Sequence, residues 1–233
     1  MLKIKIVQTK YGDFLNLEND NFIRECLEKL GGWEIPTLDI CKSFLKEDSI
    51  VIEVGAHIGT HTVPISKMCK RGIVFSFEMQ RLIFQILNSN VMLNHCPNVC
   101  TYMEAVSNEN KYDSLGDVDY FNLKDINSGN FNLNQLKAEK GYPINIISLD
   151  EKFKNLYKLD LIKIDAEGHE VSILKGAMNL INKFKPLILT EFDVKNKEEI
   201  IELLPNYNFE DVSNTYKVLD TEVKNLMFKA TPK

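Results

Sequence analysis

The sequence predicts an α/β fold, a mostly parallel sheet with helices on both faces, and three observations predict it. Short, unbroken apolar runs recur at Ile50-Val51-Ile52, Ile73-Val74-Phe75 and Leu161-Ile162-Lys163-Ile164; such runs belong to strands covered on both sides. Longer segments with apolar residues on one helical face lie between them, as crossovers between parallel strands require. The first run ends on an acid and breaks into two spaced glycines, Glu53-x-Gly55-x-x-x-Gly59. In an open α/β sheet that is where a ligand sits.

Gly55 and Gly59 let the backbone turn sharply and leave no side chain between it and a ligand. A dinucleotide and S-adenosylmethionine compete for such a turn, and spacing separates them. The dinucleotide fingerprint G-x-G-x-x-G cradles a pyrophosphate, but His57 stands where its second glycine would be. A carboxylate at Glu53 suits a cation bearing a sulfonium and an amino group. The second strand, Ile73 to Phe77, ends in Glu78, at the distance where an acid meets a ribose diol. Glu53 and Glu78 are therefore expected to hold opposite ends of a nucleoside-bearing cation.

Residues 50–60 with Glu78, and then Leu161-Ile162-Lys163-Ile164-Asp165-Ala166-Glu167-Gly168-His169-Glu170, resemble the two signature blocks of the FkbM-type S-adenosylmethionine-dependent methyltransferases. The similarity continues through Asn90, Asn94, Ala105-Val106-Ser107, Ser148-Leu149-Asp150 and Leu174-Lys175-Gly176-Ala177. It implies a Rossmann-like class I methyltransferase fold, S-adenosylmethionine as donor and often a sugar hydroxyl as acceptor. There are two departures: His57 replaces a usual Asn, and Met79-Gln80 follow Glu78 where a proline is usual. Neither removes a cofactor acid. The donor-site residues on this reading are Glu53, Gly55, Ala56, His57, Gly59, Thr60, Glu78, Met79, Glu104 and Ala105, the last two where this fold commonly holds the adenine ring.

A net charge of -5 gives no electrostatic reason to expect a nucleic-acid partner. No apolar run approaches the roughly 18 residues that span a bilayer, and the charged N-terminus does not read as a signal peptide. Five cysteines without a Cys-x-x-Cys pair argue for reduced thiols and a cytoplasmic location.

Residues 1–17 read as a hairpin turning at Tyr11-Gly12-Asp13, and 20–30 as a helix with Phe22, Ile23, Leu27 and Leu30 on one face, ended by Gly31-Gly32. A helix at 37–45 completes a lead-in, 1–48, packed on a main domain, 49–233. Trp33 and Glu34 either cover the donor or, for Trp33, pack one helix on another. Helices follow at 59–70 and 80–94, then a strand near 98–103. Residues 107–147 break the alternation and read as an insertion after the third strand. Its Asn127-Ser128-Gly129-Asn130 and dispersed Tyr112, Tyr120, Phe121, Phe131 and Tyr142 suit a sugar, which offers hydroxyls and apolar ring faces; an ordinary mobile insertion is the plain alternative. A strand at 159–165, a helix at 169–183, a strand at 186–192, a helix at 196–204 and strands near 207–212 and 225–230 complete the chain. With the seventh strand antiparallel beside the fifth, the sheet has seven strands in the order 3-2-1-4-5-7-6.

Asp165, Glu167, His169 and Glu191 converge on this topology at the carboxyl edge of the sheet. Methyl transfer is an in-line displacement, so alignment does much of the work; a sugar hydroxyl still needs a base, or a metal that lowers its pKa. In one mechanism His169 or Asp165 is the base, with Glu167 and Glu191 orienting the acceptor. In the other, Asp165 and Glu191, with Glu167, hold a divalent cation such as Mg²⁺. Lys163 needs a charged partner inside its apolar strand, which makes it a companion of a carboxylate rather than a base. Glu167 and Glu170 also suit a helix start, and Asp165 a helix cap. The functional readings are O-methylation of a sugar or glycan, methylation of a non-sugar small molecule, and cofactor binding without catalysis.

Overall fold

The computed structural model describes residues 4–233 apart from 121, 123, 125, 194, 219 and 220. Strands β1 (Ile4–Gln8) and β2 (Asp13–Leu17) form the amino-terminal hairpin. The outer edge of β2 would leave backbone groups unpaired, and two asparagines complete it. Asn90 donates from Nδ2 to the Leu15 carbonyl at 3.0 Å while its Oδ1 accepts the Leu15 N–H at 2.7 Å. Asn94 treats Asp13 in the same way, at 2.7 and 3.0 Å. Two side-chain amides one helical turn apart thus stand in for a neighbouring strand.

Helix α1 (Asn21–Glu25) runs into a π-helical turn, Cys26–Leu30, and α2 (Ile35–Phe44) follows. The single helix expected over 20–30 is therefore interrupted. The wider turn rotates the apolar face, so Leu30 is left exposed, and Gly31 at φ +72° ends the segment. Asp20 caps α1, accepting the Ile23 N–H at 3.2 Å.

The main domain alternates β3 (Ile50–Val54), α3 (Thr62–Met68), β4 (Ile73–Phe77), α4 (Arg81–Leu93) and β5 (Val99–Tyr102). The chain then leaves the sheet for β6 (Glu104–Val106), β7 (Lys111–Leu115), α5 (Leu133–Leu136) and β8 (Tyr142–Ile147). It returns through α6 (Leu149–Lys152), β9 (Leu161–Ile164), α7 (Glu170–Lys175), α8 (Met178–Phe184), β10 (Leu187–Glu191) and α9 (Lys197–Leu203), and closes with β11 (Tyr207–Asp211), β12 (Asn214–Val218), β13 (Thr221–Asn225) and β14 (Met227–Pro232). The seven-stranded sheet is ordered β5-β4-β3-β9-β10-β14-β11, which in the sequence of its own strands is 3-2-1-4-5-7-6. Strand β14 runs antiparallel to both neighbours and the others are parallel.

Three elements differ from expectation. The insertion has a sheet of its own, β6-β8-β7, which begins at Glu104 rather than after 107. The helix expected over 169–183 is split at Gly176-Ala177. A Cβ on Gly176 would lie 2.1 Å from the Ser107 carbonyl, and the Asp150 carboxylate restarts the chain as α8 by accepting the Asn179 and Leu180 N–H groups, both at 2.9 Å. The β12–β13 hairpin was not anticipated.

Alternation along the central strands buries both faces. Ile52, Val54, Ile162, Ile164 and Ile188 pack with Ile173, Leu174, Leu180 and Ile181 of α7 and α8. Val51, Leu161, Leu187 and Leu189 face Leu38 and Cys41 of α2 and Ile65 of α3. Glu53 and Lys163, paired in register on β3 and β9, lie on this second face, with Ser76 on the other side of Glu53.

Candidate active site

A cavity of about 380 Å³ opens at the carboxyl ends of β3, β4, β9 and β10, within the usual range for a small-ligand site. Gly55, Ala56, His57, Thr60, Glu78, Met79, Glu104 and Ala105 line one part of it; Asp165, Glu167, His169 and Glu191 line another. The structure thus brings twelve of the expected residues to one cavity. Glu53, Gly59 and Lys163 are not among those that line it.

Glu53 lies in the core instead. It is 1% exposed, and its Oε2 accepts hydrogen bonds from Thr62 Oγ1 at 2.6 Å and Ser76 Oγ at 3.1 Å. Burial raises its carboxyl pKa against the pull of the Lys163 ammonium. Where a grip on a cationic ligand was expected, the structure shows this carboxylate holding the start of α3 and not lining the cavity. Strand alternation is the reason, because Glu53 shares its face with Val51 rather than Val54. Gly59 faces α4, where a Cβ would meet Leu87 Cδ1 at 2.9 Å. Gly55 is fixed by its neighbour across the sheet: at φ +80°, its Cβ would lie 1.8 Å from the Asp165 carbonyl.

Glu78 sits at the tip of β4. Its Oε2 accepts the His57 N–H at 3.0 Å and its Oε1 the Gln80 N–H at 2.7 Å. Burial raises its pKa to about 7, although those two donors favour the ionised form. Glu104 is tied to Lys152 at 2.5 Å, and that ammonium lies 3.9 Å from the centre of the Tyr102 ring.

Asp165, Glu167 and Glu191 each bring an oxygen within 4.8 Å of the others. Lys163 Nζ donates to Asp165 Oδ2 at 3.1 Å. Burial works against an ionised Asp165, but the Lys163 ammonium outweighs it and holds the carboxyl below its usual range. Burial, then Asp165 and Glu167, push Glu191 up to about 10, and burial, then Asp165, push Glu167 to about 7. Glu191 is therefore protonated near neutrality and hydrogen-bonded to Asp165. Glu167 is held at φ +52°, with Asn132 Nδ2 donating to its carbonyl at 3.1 Å. Glu170 braces the same loop: its Oε1 accepts the Ala166 and Gly168 N–H groups at 3.1 and 3.0 Å.

This arrangement has a signed pH consequence. Burial and the neighbouring Asp165 raise the folded Glu191 carboxyl well above its usual range, whereas an unfolded glutamate loses its proton near pH 4.3. Above that pH the native state binds more protons, so the residue's contribution to stability falls as pH rises. Glu191→Gln is expected to melt higher than wild type, with a gap that widens from pH 5 to pH 9. Thermal melts at three pH values check it; a gap that narrows toward alkaline pH would mean that Glu191 is ionised in the folded protein.

His169 faces the cavity with Nε2 3.0 Å from Ser107 Oγ. Burial, then Lys137, hold its pKa below the usual histidine value, leaving it neutral near pH 7. Lys163 is the opposite case: burial disfavours the ammonium, but Asp165, Glu34 and Glu53 keep it charged, so it cannot serve as a base.

Residues 53–211 match the family described as the methyltransferase FkbM domain. The chain belongs to this family. Hexuronic acid methyltransferase AglP of Haloferax volcanii is 26% identical over 161 residues, 68% of this chain and 62% of AglP. The chain therefore spans less than two thirds of that relative. Methyltransferase FkbM from Methylobacillus flagellatus KT superposes with a TM-score of 0.54 at 16% identity, covering 79% of this chain and 44% of that one. Precorrin-6y C5,15-methyltransferase from Geobacter metallireducens GS-15 gives 0.53 at 12%, covering 86% and 87%. At these identities the likeness is one of fold, that of the class I methyltransferases.

Part of the FkbM domain's cavity wall comes from elsewhere in the chain. Trp33 and Glu34 line it, as do Phe22 and Ile23, and Trp33 also packs edge-on against Phe22 at 5.6 Å. His61 lies 3.6 Å from Glu34. Gln80, missed as a site residue, lines the cavity and donates to the Ser128 carbonyl at 3.0 Å; its only sequence signal was the missing proline after Glu78. All five cysteines are free, with Cys100 alone exposed. Among the described residues no helix is long and apolar enough to cross a membrane.

Proposed function

We propose that the protein transfers a methyl group from S-adenosylmethionine to a hydroxyl of a sugar or glycan. The observation that carries this reading is one cavity with the glycine turn and Glu78 on one wall and Asp165, Glu167, His169 and Glu191 on another. Membership of the FkbM family supports the donor, and the hexuronic acid relative supports a sugar. So do Asn127, Asn130, Phe131 and Trp33, which add amides and ring faces to the wall. A cytoplasmic location suits the five free cysteines.

The acceptor oxygen attacks the methyl carbon in line. The carbon–sulfur bond breaks with its electron pair passing to sulfur, S-adenosylhomocysteine leaves, and the hydroxyl proton goes to a base. His169 is that base: neutral near pH 7 and open to the cavity. Asp165, held ionised by Lys163, is the weaker base and accepts the proton of Glu191, which leaves the other Glu191 oxygen to accept a hydrogen bond from a neighbouring hydroxyl of the acceptor. The carboxylates also fit a second reading. Asp165, Glu167 and Glu191 offer hard oxygen ligands close enough for Mg²⁺, provided the proton between Asp165 and Glu191 leaves. A bound cation would lower the pKa of an acceptor hydroxyl.

Calorimetric titration with S-adenosylhomocysteine, with and without Mg²⁺, tests the donor, and Glu78→Ala is expected to weaken binding at least tenfold, the loss of a hydrogen-bonded carboxylate. No saturable heat with wild type ends this reading. Labelled methyl transfer to a panel of methyl glycosides, phenols, amines and carboxylates tests the acceptor; activity confined to non-sugars rejects the sugar.

A further inference from the structure

We infer that Ser128 is a positioning residue that locks the insertion's part of the cavity wall to the donor turn, so that donor binding and closure of that wall are coupled. The inference rests on the methyl-transfer reading above. Ser128 is 1% exposed and every polar group it has is engaged. Its N–H donates to Asp20 Oδ2 at 3.3 Å, its hydroxyl donates to the same oxygen, and its carbonyl accepts from Gln80 Nε2 at 3.0 Å. The remaining neighbour is His57, whose Nε2 lies 2.6 Å from Ser128 Oγ. A serine has one hydroxyl proton. With that proton given to Asp20, His57 must be the donor in this bond, which assigns its Nε2–H form.

Ser128 does not line the cavity, but Asn127, Gly129, Asn130 and Phe131 do. The wall they form is therefore held from behind by Ser128, between the Ile126 N–H, which donates to the Asn19 carbonyl at 3.1 Å, and Asn132, which donates to the Glu167 carbonyl. What Ser128 is held to belongs to the donor site. The two residues that grip Ser128 from that side, His57 and Gln80, are the same two whose backbone N–H groups bind the two oxygens of Glu78. A carboxylate has about four acceptor positions, so with the backbone donors of His57, Met79 and Gln80 on it Glu78 keeps room to accept from a ribose hydroxyl. A ligand seated there fixes Glu78, hence His57 and Gln80, and hence Ser128. Asp20 carries the lock to the lead-in, because its other oxygen caps α1 beside Phe22 and Ile23. The node joins three stretches that are 108 and 71 residues apart in sequence, so nothing local would keep them together.

Coupling between two sites is reciprocal and typically spans 5–150-fold. Hydrogen exchange of amides 126–131, followed with and without S-adenosylhomocysteine, reads it directly. In wild type the ligand is expected to slow exchange there by about tenfold. Ser128→Ala should still bind S-adenosylhomocysteine, more weakly than wild type by no more than that same factor of about ten by calorimetry, yet lose the slowing in 126–131. Ser128→Thr, which keeps the hydroxyl, should restore it, a rescue that loss of packing alone does not explain. Should Ser128→Ala fail to fold, Asp20→Asn gives the same test, since it weakens the acceptor of both Ser128 donors. The inference is overturned if the alanine variant keeps the ligand-dependent slowing, or if the wild-type wall ignores bound ligand. Absence of S-adenosylhomocysteine binding by wild type is a different result: it removes the donor reading, and the coupling with it.

Discussion

Gly55→Ala is expected to destabilise the protein by roughly 2–5 kcal/mol and to empty the donor site. About 1–2 kcal/mol comes from forcing an L-residue into left-handed backbone, and about 1–3 from pushing atoms into a packed region. The second part is real here because the new Cβ would lie 1.8 Å from the backbone carbonyl of Asp165, which cannot swing aside as a side chain can. Relief requires β3 and β9 to part at the edge where the cavity lies. Gly168 supplies the internal control. Its φ is +93°, yet a Cβ there would meet nothing within 4 Å, so Gly168→Ala should show the backbone cost alone, about 1–2 kcal/mol. Urea melts of the two variants separate the effects; equal losses would mean that the contact with Asp165 is unimportant.

His169→Ala should lower kcat by about 10²–10⁴ on whichever hydroxyl acceptor the panel identifies, the range for losing a general base. Donor affinity should be unchanged. The wild-type rate should fall as pH drops through a value below 6.5, because burial and Lys137 disfavour the charged imidazole and only the neutral ring accepts a proton. In the variant that acidic limb disappears. A loss of less than about threefold, or an acidic limb that survives, would transfer the role to Asp165 or to a bound cation.

Much of this architecture was legible where local chemistry and burial agree. Ile50 to Val54 and Leu161 to Ile164 are apolar because both faces of their strands are covered, and that pattern leaves little choice of sheet. The gathering of Asp165, Glu167, His169 and Glu191 followed from topology, since strand ends of a parallel sheet share one edge. What escaped was set by atoms distant in sequence. Nothing near Gly176 announces the Ser107 carbonyl that splits its helix. Glu53 was placed by the chemistry of its ligand when the strand's two-residue period already put it on the face of Val51. The insertion's small sheet was missed because Lys111 to Leu115 is a polar edge strand, exposed at its start, without the alternation that marks a half-buried one.

The asparagine-bound hairpin and the helix after it have a wider consequence. Phe22, Ile23, Trp33 and Glu34 stand before residue 53, where the family match begins, yet they touch the same cavity as the signature blocks. A version trimmed to the matched region would keep the signature blocks and lose one side of its vessel. Exchanging that leading stretch between relatives would thus reshape the mouth of the cavity and, through Glu34 beside Lys163 and Asp20 beside Ser128, reach the carboxylates and the glycine turn as well.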